Sequence, residues 1–341
     1  MRVTRESLLR IARETVQERS YNDPHIVAAY LTGSVRRAEP MLGGTTDVDL
    51  VFVYAVEPLV SREIIRLTPD FHIDLVRRNR ERYRSPRELR LDPWMGYEMY
   101  DPILLYEREK FFEFVQAGLR AGFEFESASA TLQRCRALYE DARRAWLGLS
   151  ESTARKSGPV EVRLYLEAIY AAANAVAELN GPPLAERRLL LEFPDRASAV
   201  GRDWMAAGLV GLLGGGQLAP EKIDTWLPDW QKCFEAASAS ASSDPRIHAA
   251  RTNYYHKAIK AMLGSDHPHA ALWPLIHTWT LAACAVDAVQ IKSWQSAGSD
   301  LELLGSAFDE RLQGLDHFLD DIDILLEDFA AANGLQPSPA I

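Results

Sequence analysis

The spacing of apolar positions changes character once along the chain. Near the start, short apolar runs alternate with amphipathic segments; beyond about residue 120 almost every pattern has the period of a helix. Residues 4–18 place Leu8, Ile11, Ala12 and Val16 at helical spacing and predict an amphipathic helix. Residues 25–34 form an apolar run closed by Gly33-Ser34, which predicts a buried strand. Pro40 and Gly43-Gly44 mark residues 35–46 as a loop. Residues 47–54, rich in valine and aromatics, predict a second strand, and residues 58–67, opened by Pro58, predict a helix. Residues 70–76 and 101–106 read as two further strands, and a helix follows that closes near Gly118.

The remaining residues carry little strand signal. Residues 128–148 and 159–180 read as long helices, with Val160, Leu164, Ala168, Ala171 and Ala175 on one face of the second. Gly181-Pro182 and Gly214-Gly215 break the pattern, and the low-complexity run 236–245 reads as a loop. Helical patterns resume over 246–263, 270–295 and 300–332. In the last, Asp316, Asp320, Asp323 and Glu327 lie opposite Leu319, Ile322, Leu326 and Phe329, the signature of an amphipathic helix rather than a metal site. The pattern implies a small α/β domain followed by a large helical one.

Charge adds an asymmetry. The net charge is −10, yet residues 1–110 are balanced, with 18 basic and 18 acidic groups, so the excess lies beyond them. An acidic second part disfavours a nucleic-acid backbone as the main partner and suits a cationic one. The chain has three cysteines, Cys135, Cys233 and Cys284, far apart and without a CxxC pair, which fits a reduced, cytoplasmic protein. No apolar run reaches the about 18 residues a membrane helix needs, and the N-terminal segment lacks the apolar core of a secretion signal.

Three segments carry chemistry when taken together. Gly33 and Ser34 end a strand: a glycine lets a phosphate approach the backbone, and the serine adds a hydroxyl. Asp47 and Asp49 are two apart on a strand, so their carboxylates share one face while Val48 and Leu50 take the other. Two such carboxylates repel, and a divalent cation relieves the repulsion. Asp74 interrupts a third apolar run, where an acid needs a partner. If its strand neighbours residues 47–54, three carboxylates converge and suffice for two magnesium ions.

Gly33-Ser34, twelve residues, Asp47-Val48-Asp49 and then a hydrophobic-Asp-hydrophobic strand at Asp74 resemble the polymerase-β-like nucleotidyltransferase superfamily, in particular its small-molecule and minimal members. The resemblance covers residues 25–110. It implies an α+β fold, a small mixed-sheet nucleotidyltransferase core over residues 1–118 followed by a large all-α helical-bundle domain over residues 119–341. It implies that Gly33 and Ser34 bind the triphosphate, that Asp47 and Asp49 bind magnesium, and that Asp74 is the third ligand or the base. Arg36 and Arg37 follow Ser34 and are candidates to neutralise phosphate charge. The implied activity is transfer of a nucleoside monophosphate from a magnesium-bound triphosphate, ATP first among candidates, to a hydroxyl of a small cationic acceptor of aminoglycoside type. In such relatives the helical domain sometimes supplies a catalytic glutamate, and Glu167, with Glu161, is the candidate here.

Two alternatives accompany this reading: an antitoxin-like nucleotidyltransferase that modifies or binds a protein partner, and an RNase. The second rests on Arg251 and His256, whose Arg-x4-His spacing resembles the motif of HEPN helical domains. Seven arginines between Arg77 and Arg90 read either as a phosphate clamp or as a solvated face paired with Glu81 and Glu88. His267-Pro268-His269 reads as a turn, and the six tryptophans after residue 200 as helical core or an aromatic acceptor pocket.

Overall fold

In the computed structural model, which describes residues 3–125, 127–151, 157–240 and 244–336, the chain divides into two compact units, Met1–Ser127 and Ala128–Ile341. The first is an α+β unit built on one five-stranded mixed sheet. It opens with α1 (Arg5–Asn22), whose start is fixed by a capping box between Thr4 and Ser7. The strands are β1 (Ile26–Thr32), β2 (Thr46–Tyr54), β3 (Arg62–Arg66), β4 (Phe71–Asn79) and, after α2 (Pro86–Leu91) and α3 (Met95–Tyr100), β5 (Ile103–Glu107); α4 (Phe111–Phe125) completes the unit. Gly118, the expected domain boundary, lies inside α4.

The strand order is β3-β4-β2-β1-β5. β2 and β4 are parallel at the centre, and the other neighbours are antiparallel. Alternation along each strand sorts its residues between two cores. Val48, Leu50, Phe52, Ile73 and Leu75 pack with Leu8, Ala12 and Val16 of α1. Val51, Val53, Ala28 and Tyr30 pack on the opposite face with Leu89, Met99, Phe112 and Leu119 of α2, α3 and α4. The odd-numbered positions of β2 therefore face α2–α4, and the two acids at its start lie on that side.

Residues 58–67 correct the helix expected there. Pro58 sits in a loop, and Arg62–Arg66 form the edge strand β3, paired antiparallel with β4. Thr68-Pro69-Asp70 make the turn between them: the amides of Leu67 and Thr68 both donate to the Phe71 carbonyl at 3.0 Å. Ladder pairing and a β-branched Ile64-Ile65 outweigh the weak helix signal.

The second unit contains only helices among the described residues: α5 (Ser127–Ser150, beginning at the boundary), α6 (Pro159–Ala177), α7 (Leu189–Ala199), α8 (Trp204–Leu212), α9 (Pro220–Ala239), α10 (Thr252–Leu263), α11 (Leu272–Ala283), α12 (Lys292–Asp300) and α13 (Ala307–Ala332). Every residue of α11 is buried, so it is the central helix of this unit. Trp230, Trp273, Trp279 and Trp294 are fully buried; the indoles of Trp230 and Trp294 donate to Thr278 and Thr280 of α11 at 2.9 and 3.0 Å. These tryptophans are core residues, whereas Trp204 is exposed.

Several helix boundaries differ from those expected. α9 runs through Ala239, into the low-complexity stretch, of which residues 241–243 lie outside the described residues. The expected 270–295 helix is interrupted after Ala283: the Asp287 carboxylate accepts from the Val289 and Gln290 amides at 2.9 and 3.0 Å and bends the chain before α12. α10 begins at Thr252 rather than 246, after a turn in which the His248 ring accepts from the Ala250 amide. None of the helices among the described residues is long and apolar enough to cross a membrane.

Candidate metal centre

The centre of the sheet decides the geometry. A two-residue turn, Gly43-Gly44, with both φ angles positive (61° and 73°), reverses the chain just ahead of β2. Leu42 and Thr45 exchange backbone hydrogen bonds of 3.0 and 3.2 Å across it. β2 then pairs with β4 in parallel register, Asp47 beside His72 and Asp49 beside Asp74. Neighbours in register point to the same face, so Asp47, Asp49 and Asp74 converge. One carboxylate oxygen from each lies within 4.8 Å of the others, close to the roughly 4.2 Å spanned by two oxygens on opposite sides of a magnesium ion. This group can hold a divalent metal. Asp47 and Asp74 are only 6 % and 2 % exposed, and oxygen donors of this kind suit a hard cation rather than a soft one.

Gly33 closes one side. Its φ is 71°, and a Cβ there would stand 1.7 Å from Oδ2 of Asp49. Glycine is thus required twice, by backbone conformation and by the carboxylate lying against it. Ser34 opens a short 3-10 turn, Ser34–Arg36. Its hydroxyl shares a 2.6 Å hydrogen bond with that of Thr46, tying the turn to the residue before Asp47. From α1, Arg5 donates to the carbonyls of Val35 (2.9 Å) and Arg36 (3.4 Å), which holds the turn in place. The amides of Arg36 and Arg37 are turned inward to the carbonyls of Gly33 and Ser34. The Arg36 guanidinium is ion-paired with Asp101, and Arg37 is exposed.

No protein-family model matches this chain, and no curated protein matches it.

Two residues at the site escaped the sequence reading. Arg62 on β3 donates Nε–H to Oδ1 of Asp74 at 2.7 Å and an Nη2–H to Oδ2, a side-on fork over the third carboxylate. It lay in the stretch expected to be helical, so its face could not be assigned. His72, fully buried, places Nε2 3.9 Å from Oδ2 of Asp47. Its only signal was a polar residue within an apolar run, two positions before Asp74.

The arginine-rich stretch is largely structural. Arg77 pairs with Glu63, which also receives two hydrogen bonds of 3.1 Å from Arg19 of α1. The Arg19 hydrogen bonds, against a smaller opposing effect of burial and with help from Arg77, hold the Glu63 carboxyl below its ordinary range. Arg78 forks onto Glu98 of α3 at 2.5 and 3.0 Å, and the Tyr30 hydroxyl donates to the same carboxylate at 2.6 Å. Burial, reinforced by Glu98, pushes the Tyr30 phenol up, so it remains a donor. Arg84 pairs with Glu81, as expected, at 2.5 Å.

The remaining candidates belong to the helical unit. Glu167 is half-buried on α6, 3.6 Å from Arg163, and Glu161 caps the same helix by accepting from the Gly158 amide at 2.9 Å. Arg251 is buried beside Tyr254, whereas His256 stacks on Trp230 with ring centres 6.3 Å apart; the two face different surroundings. Burial, then the neighbouring Lys260, lowers the His256 pKa. Pro268 opens a turn, and the His269 ring is hydrogen-bonded to the Leu218 carbonyl at 2.9 Å. The acids of α13 face α5: Asp316 and Asp320 pair with Arg143 at 2.6 Å, and Asp323 and Glu327 with Arg136.

Proposed function

We propose that the protein is a nucleotidyltransferase of the polymerase-β-like type, acting on a magnesium-bound nucleoside triphosphate, with ATP the first candidate. The observation that carries the reading is the register of β2 and β4, which sets Asp49 beside Asp74 and Asp47 on the same face, with Gly33 against Asp49. Asp47, Asp49 and Asp74 would hold the metal, up to two ions. When bound, a divalent cation neutralises triphosphate charge and lowers the pKa of an attacking hydroxyl.

The chain's own groups do the rest. The Gly33-Ser34 turn, fixed by Arg5 and Thr46, offers the Ser34 hydroxyl and a backbone without a side chain to the phosphates. Arg36 and Arg37 stand at its exit for the leaving pyrophosphate. An Asp74 carboxylate oxygen accepts the proton as the acceptor oxygen bonds to the α-phosphorus and the bond to the β-phosphate oxygen breaks. Catalysis is mainly positioning beside the acidic group. The acidic excess beyond residue 110 supports a small cationic acceptor of aminoglycoside type.

The test is pyrophosphate release from ATP with a panel of aminoglycosides. Magnesium-dependent release that falls by about 10³-fold or more in Asp49→Asn is expected, since a metal ligand and its charge are both lost. Release that survives Asp49→Asn unchanged contradicts the assignment.

A further inference from the structure

Arg62 places a cation on one of the three carboxylates of the candidate metal centre. Its guanidinium engages both oxygens of Asp74, while Asp74 itself is 2 % exposed and lies with Asp47 and Asp49 in one acidic group. Three carboxylates at this separation repel one another in a partly desolvated setting, and a cation must offset that repulsion for the strands to pair as they do.

The arginine is also placed to leave. β3 is the edge strand, and the Arg62 side chain is 38 % exposed, so it can swing into solvent without unpacking either core. On the opposite face Arg77 is held otherwise: its side chain is 14 % exposed and shares Glu63 with Arg19. Guanidinium recognises phosphate with the same fork it offers a carboxylate, so release from Asp74 beside a triphosphate need not strand the charge.

We infer that Arg62 is the resident counter-ion of the carboxylate site and competes with the divalent cation for Asp74, a step that rests on the metal-site reading above. Asp74 is available to a metal ion only when Arg62 lets go. Arg62 is a positioning residue, acting on the metal through Asp74.

The experiment is Mn2+ titration of the full chain without nucleotide, read by the electron paramagnetic resonance signal of the free ion. It compares the native protein, Arg62→Gln, Arg62→Lys, Asp74→Asn and the Arg62→Gln/Asp74→Asn pair. Thermal melting establishes that each variant is folded. Arg62→Gln is expected to bind Mn2+ roughly 10- to 100-fold more tightly, the range that a hydrogen-bonded charge pair represents. Arg62→Lys, which keeps the charge without the fork, falls between. In the Asp74→Asn background the gain from Arg62→Gln disappears, which a general effect on folding would not produce. Equal or weaker Mn2+ binding by folded Arg62→Gln, with the native protein binding normally, overturns the inference and leaves the metal site standing. Absence of Mn2+ binding in the native protein and in Arg62→Gln alike overturns the metal-site reading, and the inference with it.

Discussion

Two groups of acids in this protein lie at sequence spacings that invite comparison. On β2 and β4, Asp47, Asp49 and Asp74 converge within 4.8 Å, and Arg62 is forked onto one of them. On α13, Asp316, Asp320, Asp323 and Glu327 are spread along about three helical turns, and Arg143 and Arg136 of α5 each take two. A strand returns every second residue to one face at a short rise, and a parallel neighbour adds its own residue in register. A helix separates residues four apart by about 6 Å along its axis, far enough for each to find its own partner. The first arrangement concentrates negative charge in a nearly buried place. The second distributes it along a half-exposed seam between two helices. Acids concentrated in one nearly buried place mark a site; acids spread along a helix, each with its own arginine contact, are packing.

The comparison can be sharpened by substitutions whose expected effects differ in size. The largest loss of stability belongs to a fully buried ion pair of the helical unit, Arg134 with Glu178, 3.2 Å apart. Arg134→Met leaves Glu178 as an uncompensated buried charge and is expected to cost about 3–5 kcal/mol in chemical denaturation. Next comes Gly33→Ala, which meets Asp49 and a positive φ together; a loss of about 1–3 kcal/mol is expected, with Asp49 displaced. Restoration of native stability in Gly33→Ala/Asp49→Ala beyond the sum of the single effects would trace the clash to that carboxylate.

Acid sensitivity comes third. Burial opposes ionisation of Glu186, yet His277, its 3.0 Å partner on α11, with Arg246 and Arg251, holds its carboxyl below the ordinary 4.5. Tyr255 also approaches it, at 3.5 Å. A depressed folded value means that this contribution is complete above about pH 4.5 and fades as pH falls through the lower value. Glu186→Gln is therefore expected to melt earlier at neutral pH but to lose less stability on acidification than the native protein. The smallest effect is that of Asp320→Asn: its pair with Arg143 is exposed, and a loss below about 1 kcal/mol is expected, with no change in metal binding.

How much of this was legible in the sequence depended on where each signal originates. β2 announced itself because its apolar and acidic residues alternate within one segment, and Asp47 and Asp49 could be given a common face from spacing alone. That Asp74 joins them depends on β4 lying parallel to β2 in one register, which no local pattern encodes. β3 was misread because a proline followed by Leu59, Val60, Ile64 and Ile65 imitates a helix start, whereas the strand forms through its pairing with β4. Arg62 was lost with it. Gly33 was placed correctly in the turn, but its contact with Asp49 arises only once β1 and β2 pair, with Thr32 opposite Asp49. In the helical unit the long amphipathic segments were readable, and the breaks near Asp287 and His248 were not, because single side chains bending the backbone leave no periodic trace.

The central claim is that the three carboxylates hold a metal-bound nucleotide. Its most direct test is calorimetric titration of ATP, GTP, CTP and UTP with magnesium into the native protein and into Asp47→Asn/Asp49→Asn. The account predicts magnesium-dependent binding of at least one triphosphate by the native protein and its loss in the folded double variant. Binding that persists in the double variant, or a folded native protein that takes up no triphosphate, would contradict it.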